Sequence, residues 1–259
     1  MEKKDLLKDV IKHIDIKSYN STELIDAMRN MSFTSRDTAR AADILMMMCK
    51  EKECTNILTL AGSTSAAGCM QVYVDMVRNK MIDVVVATGA SIIDMDLFEA
   101  LGFKHYIGEK ENVIADTTLR DLYIDRIYDT YIDEEELQAC DHTTFEIANM
   151  LEARPYSSRE FIYEIGKWLH DGHAVKKDSL IQTCYECGVP IFVPAFSDSS
   201  AGFGIGKHQW ERMQKGEKYL SIDSVKDFIE LTQIKMQAPE TGLFMVGGGA
   251  PKNFAQDTV

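Results

Sequence analysis

The amino-acid sequence repeats one unit four times: a short continuous apolar run, a loop of small residues, then a helical stretch. Asn56-Ile57-Leu58-Thr59-Leu60 leads into Ala61-Gly62-Ser63-Thr64-Ser65-Ala66-Ala67-Gly68. Ile82-Asp83-Val84-Val85-Val86 leads into Ala87-Thr88-Gly89-Ala90-Ser91. Ile191-Phe192-Val193 precedes the small-residue stretch 194–204, and Leu243-Phe244-Met245-Val246 precedes Gly247-Gly248-Gly249. Apolar runs without alternation suit strands buried on both faces of a parallel sheet. Parallel strands need long crossovers, usually helical. Apolar residues at helical spacing over 35–48, 134–151, 157–169 and 223–237 supply them. The pattern predicts an α/β fold with a doubly wound, mostly parallel, Rossmann-like sheet and a helical N-terminal segment over about residues 1–50. With no Pro- or Ser-rich linker in 259 residues, one domain is expected over 1–259.

In such a sheet the strand C-termini lie on one edge, so the four loops can line one crevice. Three successive glycines after a strand let a ligand approach the backbone with no Cβ in the way. The loop 62–68, opening onto a helical stretch at 69–78, offers backbone N–H groups and a positive helix end to a pyrophosphate. Ser63, Thr64 and Ser65 add hydroxyls, and Thr88, Gly89 and Ser91 repeat the arrangement on the next strand. Small residues also serve tight strand-to-helix turns, so each loop alone has that simpler reading. No G-x-G-x-x-G follows a strand with an acid about twenty positions later. Gly202-Phe203-Gly204-Ile205-Gly206 is glycine-rich but follows Ser197-Asp198-Ser199-Ser200 rather than a strand. The expectation is a nucleotide or dinucleotide in a variant site. Asp198 is the candidate for ribose hydroxyls or a cationic substrate, with helix capping as its alternative role. Asp94 and Asp96 suit hydroxyls, an amine or a metal, or the first turn of a helix. His105 reads as a general acid–base or a structural residue, and His208 and Trp210 carry no assignment.

The net charge of −13 and a pI near 4.9 disfavour nucleic acid and favour small cations such as polyamines. No 18-residue apolar run predicts a membrane span, and the N-terminus lacks a secretory apolar core. A cytoplasmic protein with six reduced cysteines is expected. Cys184-Tyr185-Glu186-Cys187 has no second ligand pair for zinc and sits at a helix end before Gly188, so it reads as plain buried thiols and no metal site is assigned.

Several segments together resemble deoxyhypusine synthases. They are Met81-Ile82-Asp83-Val84-Val85-Val86-Ala87-Thr88-Gly89-Ala90 with Asp94-Met95-Asp96-Leu97, and Val189-Pro190-Ile191-Phe192-Val193-Pro194-Ala195-Phe196-Ser197-Asp198-Ser199-Ser200. Tyr123-Ile124-Asp125-Arg126-Ile127-Tyr128-Asp129 and the triple glycine with Lys252 complete the set, in the family's order from about Ser35 onward. Lys104-His105-Tyr106 and Gly249-Ala250-Pro251-Lys252-Asn253-Phe254 resemble the prokaryotic deoxyhypusine synthase-like branch.

The resemblance implies NAD-dependent aminobutyl transfer from spermidine to a lysine of the hypusine-bearing translation factor. A free amine as acceptor (a homospermidine-type synthase) and a non-catalytic NAD-binding paralogue are the alternatives. It assigns NAD to Ser63, Thr88, Gly89, Asp198, Ser200, Gly247, Gly248 and Gly249, and the polyamine to the neighbourhood of Asn253. Phe203 stands where family synthases carry an acid, and Asn253 where they carry a histidine. The family's imine-forming lysine lies in a Ser-Trp-Gly-Lys type motif downstream of the triple glycine. No such motif precedes Val259, so a chain lacking that segment is expected and no catalytic residue is assigned. A homotetramer is the assembly that the resemblance implies.

Overall fold

A computed structural model describes residues 2–108 and 113–258; Met1 and Val259, the ends of the expected domain, lie outside the described residues. Four strands, Cys54–Leu60, Val84–Ala87, Ile191–Phe192 and Glu240–Val246, form one all-parallel sheet. Their spatial order is third, second, first, fourth in chain order. The chain steps outward from the first strand to the third, then returns to add the fourth beside the first. The topological switch point therefore lies between Cys54–Leu60 and Glu240–Val246.

Burial on both sides explains the continuous apolar runs of the first three strands, whereas Glu240–Val246, at the sheet edge, is mostly half-buried and leaves Met245 exposed. Leu58 lies beside Val85 and Phe244 and packs with them into the larger core cluster. Its neighbour Ile57 lies beside Val84 and Leu243 and packs into a second cluster with Phe192, Leu231 and Ala255. Alternate residues thus enter opposite cores, and each fully buried Leu, Ile or Val contributes roughly 1.5–3 kcal/mol. Helices Met70–Arg78, Ser158–Trp168 and Leu180–Cys187 cover the first face, and Ser224–Gln237 with Gly249–Gln256 cover the second.

Two smaller sheets were not anticipated. Tyr106–Ile107, Thr130–Asp133 and Ile124–Ile127 make an antiparallel sheet, and Pro155–Tyr156 pairs with Ser221–Ile222. The N-terminal segment is helical as expected. It holds helices Lys3–Leu6, Thr22–Met28 and Phe33–Lys50, but an extended stretch around Val10 bridges to Tyr106 between the first two. Among the described residues no helix is long and apolar enough to cross a membrane.

Helix Leu180–Cys187 ends on Gly188 in the left-handed region, which fixes the two cysteines one turn apart. Cys184 is buried, and burial pushes its thiol pKa well up; Cys187 is exposed, which corrects its reading as a buried thiol. A thiolate needs access and a lowered pKa to react. Alkylation of the native protein followed by mass spectrometry is expected to label Cys187 and to spare Cys140 and Cys184 until the chain unfolds.

Candidate functional site

The four small-residue loops meet at the C-terminal edge of the central sheet. The Ala61 N–H donates to the Val246 carbonyl at 2.9 Å, joining the first loop to the last across the switch point. The Thr88 N–H donates to the Leu60 carbonyl at 3.0 Å, and the Ser91 hydroxyl to the Gly62 carbonyl at 3.3 Å, joining the first loop to the second. The second and third loops are in contact at Gly89, where a Cβ would stand 2.5 Å from Ser199 Oγ. Residues 90–97 leave the second loop as a π-helical turn, a widened geometry frequent at functional sites, whereas residues 65–69 leave the first loop through a kink at Gly68, whose φ of +95° is not helical.

The predicted site residues fall into two groups. Ser63, Gly247, Gly248 and Gly249 follow the two strands that flank the switch point, and Thr88 and Gly89 lie on the neighbouring second loop. The Thr88 hydroxyl donates to Ser91 Oγ at 2.9 Å and accepts the Ser91 N–H, so it also closes its own turn. Asp198 is exposed in the third loop, and Ser200 is buried at the start of helix Ser200–Gln214. Ser199, not Asp198, is that helix's N-cap residue, so the capping role weighed for Asp198 does not apply. Asn253 and Phe203 are both exposed on helices, the first on Gly249–Gln256 and the second on Ser200–Gln214.

An acidic wall surrounds Ser200. The Ser200 N–H donates to Asp94 Oδ1 at 2.7 Å. Burial raises the pKa of Asp94, opposed by hydrogen bonds from Ser200 and reinforced by the charge of Asp198. Burial likewise raises Asp141, which also bonds Ser200 and feels the charge of Asp94. Asp141 Oδ1 is buried and has no hydrogen-bond partner among the described residues. Sequence reasoning missed Asp141, because its signal is only one acid in an acid-rich helix, Glu134–Met150.

The pair Asp94 and Asp96 divides. Asp94 faces the loops, whereas Asp96 is fully buried and accepts the Leu180 and Ile181 N–H groups, both at 2.8 Å. It caps a helix eighty residues away and is not available to a ligand. His105 is buried against Glu99 and His208 between Asn149 and the Leu220 N–H, while Trp210 is exposed.

The residues present fit a dinucleotide. Ser65 Oγ is buried in the first loop without a hydrogen-bond partner among the described residues. Cβ atoms added at Gly62, Gly248 or Gly249 would meet nothing within 4 Å, so the backbone there borders open space.

A sequence profile described as "DS: Deoxyhypusine synthase" matches residues 23–259. The chain is 66% identical over 258 residues to the "Deoxyhypusine synthase-like protein" of Caulobacter vibrioides, covering 100% of this chain and 70% of that protein. It is 59% identical to the protein of the same description in Coxiella burnetii, over 99% of this chain and 72% of that one. A crystal structure assigned to deoxyhypusine synthase from Entamoeba histolytica superposes with a TM-score of 0.65 at 19% identity, covering 92% of this chain and 79% of that one. At that identity the superposition shows a shared fold.

Proposed function

The chain belongs to the deoxyhypusine synthase family, and from that premise we propose that it takes part in NAD-dependent aminobutyl transfer from spermidine. The observation that carries the reading is the meeting of four loops along the C-terminal edge of the central sheet beside the acidic wall of Asp94, Asp141 and Asp198. Backbone N–H groups of the first loop, with Ser63 and Thr88, are suited to the pyrophosphate. Gly247, Gly248 and Gly249 allow the cofactor close to the fourth strand. Asp198 and Ser200 are suited to ribose hydroxyls.

NAD, when bound, supplies a hydride acceptor. This chain's residues would bind and orient the polyamine beside it. The unpartnered Asp141 Oδ1 and the Asp94 carboxylate can accept ammonium N–H groups, and Asp141 is left short of an acceptor contact until something donates to it. Burial within this wall strengthens each charge–ammonium contact relative to open water. Asn253 lies on the helix that opens at the triple glycine. The exposed side chains Phe203 and Asn253, where family synthases carry an acid and a histidine, favour a second reading for the acceptor: a free amine rather than a protein lysine.

Equilibrium binding of NAD tests the first step. Wild-type protein is expected to bind, and Asp198→Ala to bind roughly 10- to 100-fold more weakly, the loss of charge-assisted hydrogen bonds. Incubation with NAD and labelled spermidine is expected to release diaminopropane. Adding putrescine or the translation factor then distinguishes the acceptors. Absence of NAD binding by the wild-type chain overturns the reading.

A further inference from the structure

The extended stretch 9–14 ties together two places that are far apart in sequence. The Ile107 N–H donates to the Asp9 carbonyl at 2.7 Å, and the Ile11 N–H to the His105 carbonyl at 2.9 Å, flanking the Val10–Tyr106 bridge. The stretch then crosses to the first small-residue loop, where the Ile14 N–H donates to the Gly68 carbonyl at 2.9 Å. Gly68 has φ +95°, and a Cβ on it would stand 2.9 Å from the Lys12 carbonyl oxygen. That glycine is therefore required by the crossing chain as well as by its own turn. Beyond it, Lys17 Nζ donates to Asp75 Oδ1 at 2.7 Å, on the helix that follows the loop.

Between these two attachments stands His13. Its Nε2–H donates to Glu99 Oε2 at 2.6 Å. Glu99 lies just past the π-helical turn 90–97 that leaves the second loop. The same carboxylate is held by His105 Nδ1 at 2.9 Å and Lys176 Nζ at 2.5 Å. Although burial opposes ionisation, these partners hold its pKa well below the usual carboxylate range. Glu99 is thus an ionised post, fixed by two partners besides His13.

We infer that residues 9–14 form a strap that sets the spacing of the first two cofactor loops, with His13 as its positioning residue. One end holds Gly68 at the close of the first loop. Beside it, His13 holds through Glu99 the helix that follows the turn leaving the second loop, and the far end of the strap is held at His105 and Ile107. Neither the Gly68 contact nor the Glu99 contact touches the crevice. A loop that must present several donors to one phosphate group loses affinity when its own position is not fixed in advance. The inference rests on the cofactor reading above.

Three variants of the full chain test it. His13→Ala removes the anchor and leaves Glu99 paired with His105 and Lys176. His13→Gln keeps a neutral N–H donor of similar reach. Ile14→Pro removes the donor to Gly68 without touching the Glu99 cluster, at a residue that is 46% exposed. Amide exchange is followed at Ala67 and Cys69, which bond within the first loop, alongside the NAD dissociation constant and the melting curve. His13→Ala and Ile14→Pro are expected to speed exchange at both amides and to raise the dissociation constant, each about tenfold, as for the loss of one strong hydrogen bond. His13→Gln is expected to stay within about twofold of wild type. Unchanged exchange at Ala67 and Cys69 in the first two variants overturns the strap. Faster exchange with unchanged NAD affinity overturns its positioning role. If wild-type protein binds no NAD, the cofactor reading fails, and exchange alone decides whether the strap holds the loop.

Discussion

Gly204→Ala is expected to lower the melting temperature by roughly 5–12 °C, whereas Gly206→Ala, two residues along the same helix, is expected to leave it unchanged or raise it slightly. A Cβ on Gly204 would overlap Thr144 Oγ1, lie 2.6 Å from the Asp141 carbonyl oxygen and 2.9 Å from the Phe145 nitrogen. Two of those three atoms are backbone of helix Glu134–Met150, so no rotamer change relieves them. The helices must separate instead, at a cost of about 2–3 kcal/mol. Gly206 is exposed and an added Cβ there meets nothing within 4 Å. Alanine at that position recovers helix propensity of up to about 1 kcal/mol. Gly204 also governs how near Ser200 comes to Asp94 and Asp141. Gly204→Ala is therefore expected to weaken NAD and polyamine binding at temperatures where it remains folded. Calorimetric melting of the two variants side by side checks the contrast; equal shifts would show that the close crossing of these helices is not what Gly204 serves.

That contrast bears on what could be read in the sequence. The four central strands were legible because each is a short run dominated by apolar residues, in which even the polar Asn56 and Thr59 are buried. The loops after them were legible because strand C-termini must share an edge. Gly202-Phe203-Gly204-Ile205-Gly206 looked like a loop for the same compositional reason, yet it lies inside helix Ser200–Gln214. Glycine marks close approach as readily as it marks a turn, and sequence does not distinguish the two. The hairpin at Ile124–Ile127 and Thr130–Asp133 was missed because its turn has no Asn-Gly signal; Tyr128 itself takes φ +54°. The strap was missed because a single extended stretch carries no periodicity, and its reason for being extended lies at Gly68 and Tyr106.

The aspartates show the same limit in another form. Three helices on the sheet have first-turn N–H groups satisfied by a carboxylate from far along the chain: Ser200 by Asp94, Leu180 and Ile181 by Asp96, and Ser158 and Arg159 by Asp227. In the latter two, a local serine takes the next donor, Ser179 for Gln182 and Ser157 for Glu160. The local half of each cap follows a recognisable pattern. The remote half becomes visible only when the fold brings the elements together. Adjacent Asp94 and Asp96 therefore looked like one ligand pair while serving two helices, only one of which borders the crevice.

Asp96 provides the sharpest consequence for stability. Its carboxylate is wholly buried, and desolvation pushes its pKa up to about 6 despite the two backbone donors and the positive charge of Lys176. The unfolded chain releases this proton near 3.8. Between those values the folded protein holds more protons than the unfolded one, so this residue's contribution to stability falls as pH rises, by up to about 1.4 kcal/mol per pH unit, and levels off above the folded value. Glu99 acts in the opposite direction and lower on the scale. Its depressed folded pKa stabilises the protein above the unfolded value near 4.5 and is lost as the medium becomes more acid. Asp125, raised to about 7, adds to the Asp96 trend, so wild-type stability alone does not isolate either group. The difference between wild type and Asp96→Asn does, because only the titration of residue 96 is removed. In urea denaturation at several pH values from 4 to 7, wild type is expected to lose stability relative to Asp96→Asn as pH rises to about 6, then to hold a constant offset. A difference independent of pH would mean that Asp96 is ionised throughout and that its two N–H partners outweigh its burial. Asp96→Ala is expected to cost roughly 2–5 kcal/mol at neutral pH, since it leaves the Leu180 and Ile181 donors buried and unpaired. Ser179→Ala removes only the bond to the Gln182 N–H, leaves both of the Asp96 bonds intact and is expected to cost only about 1 kcal/mol, which separates the remote half of the cap from the local half.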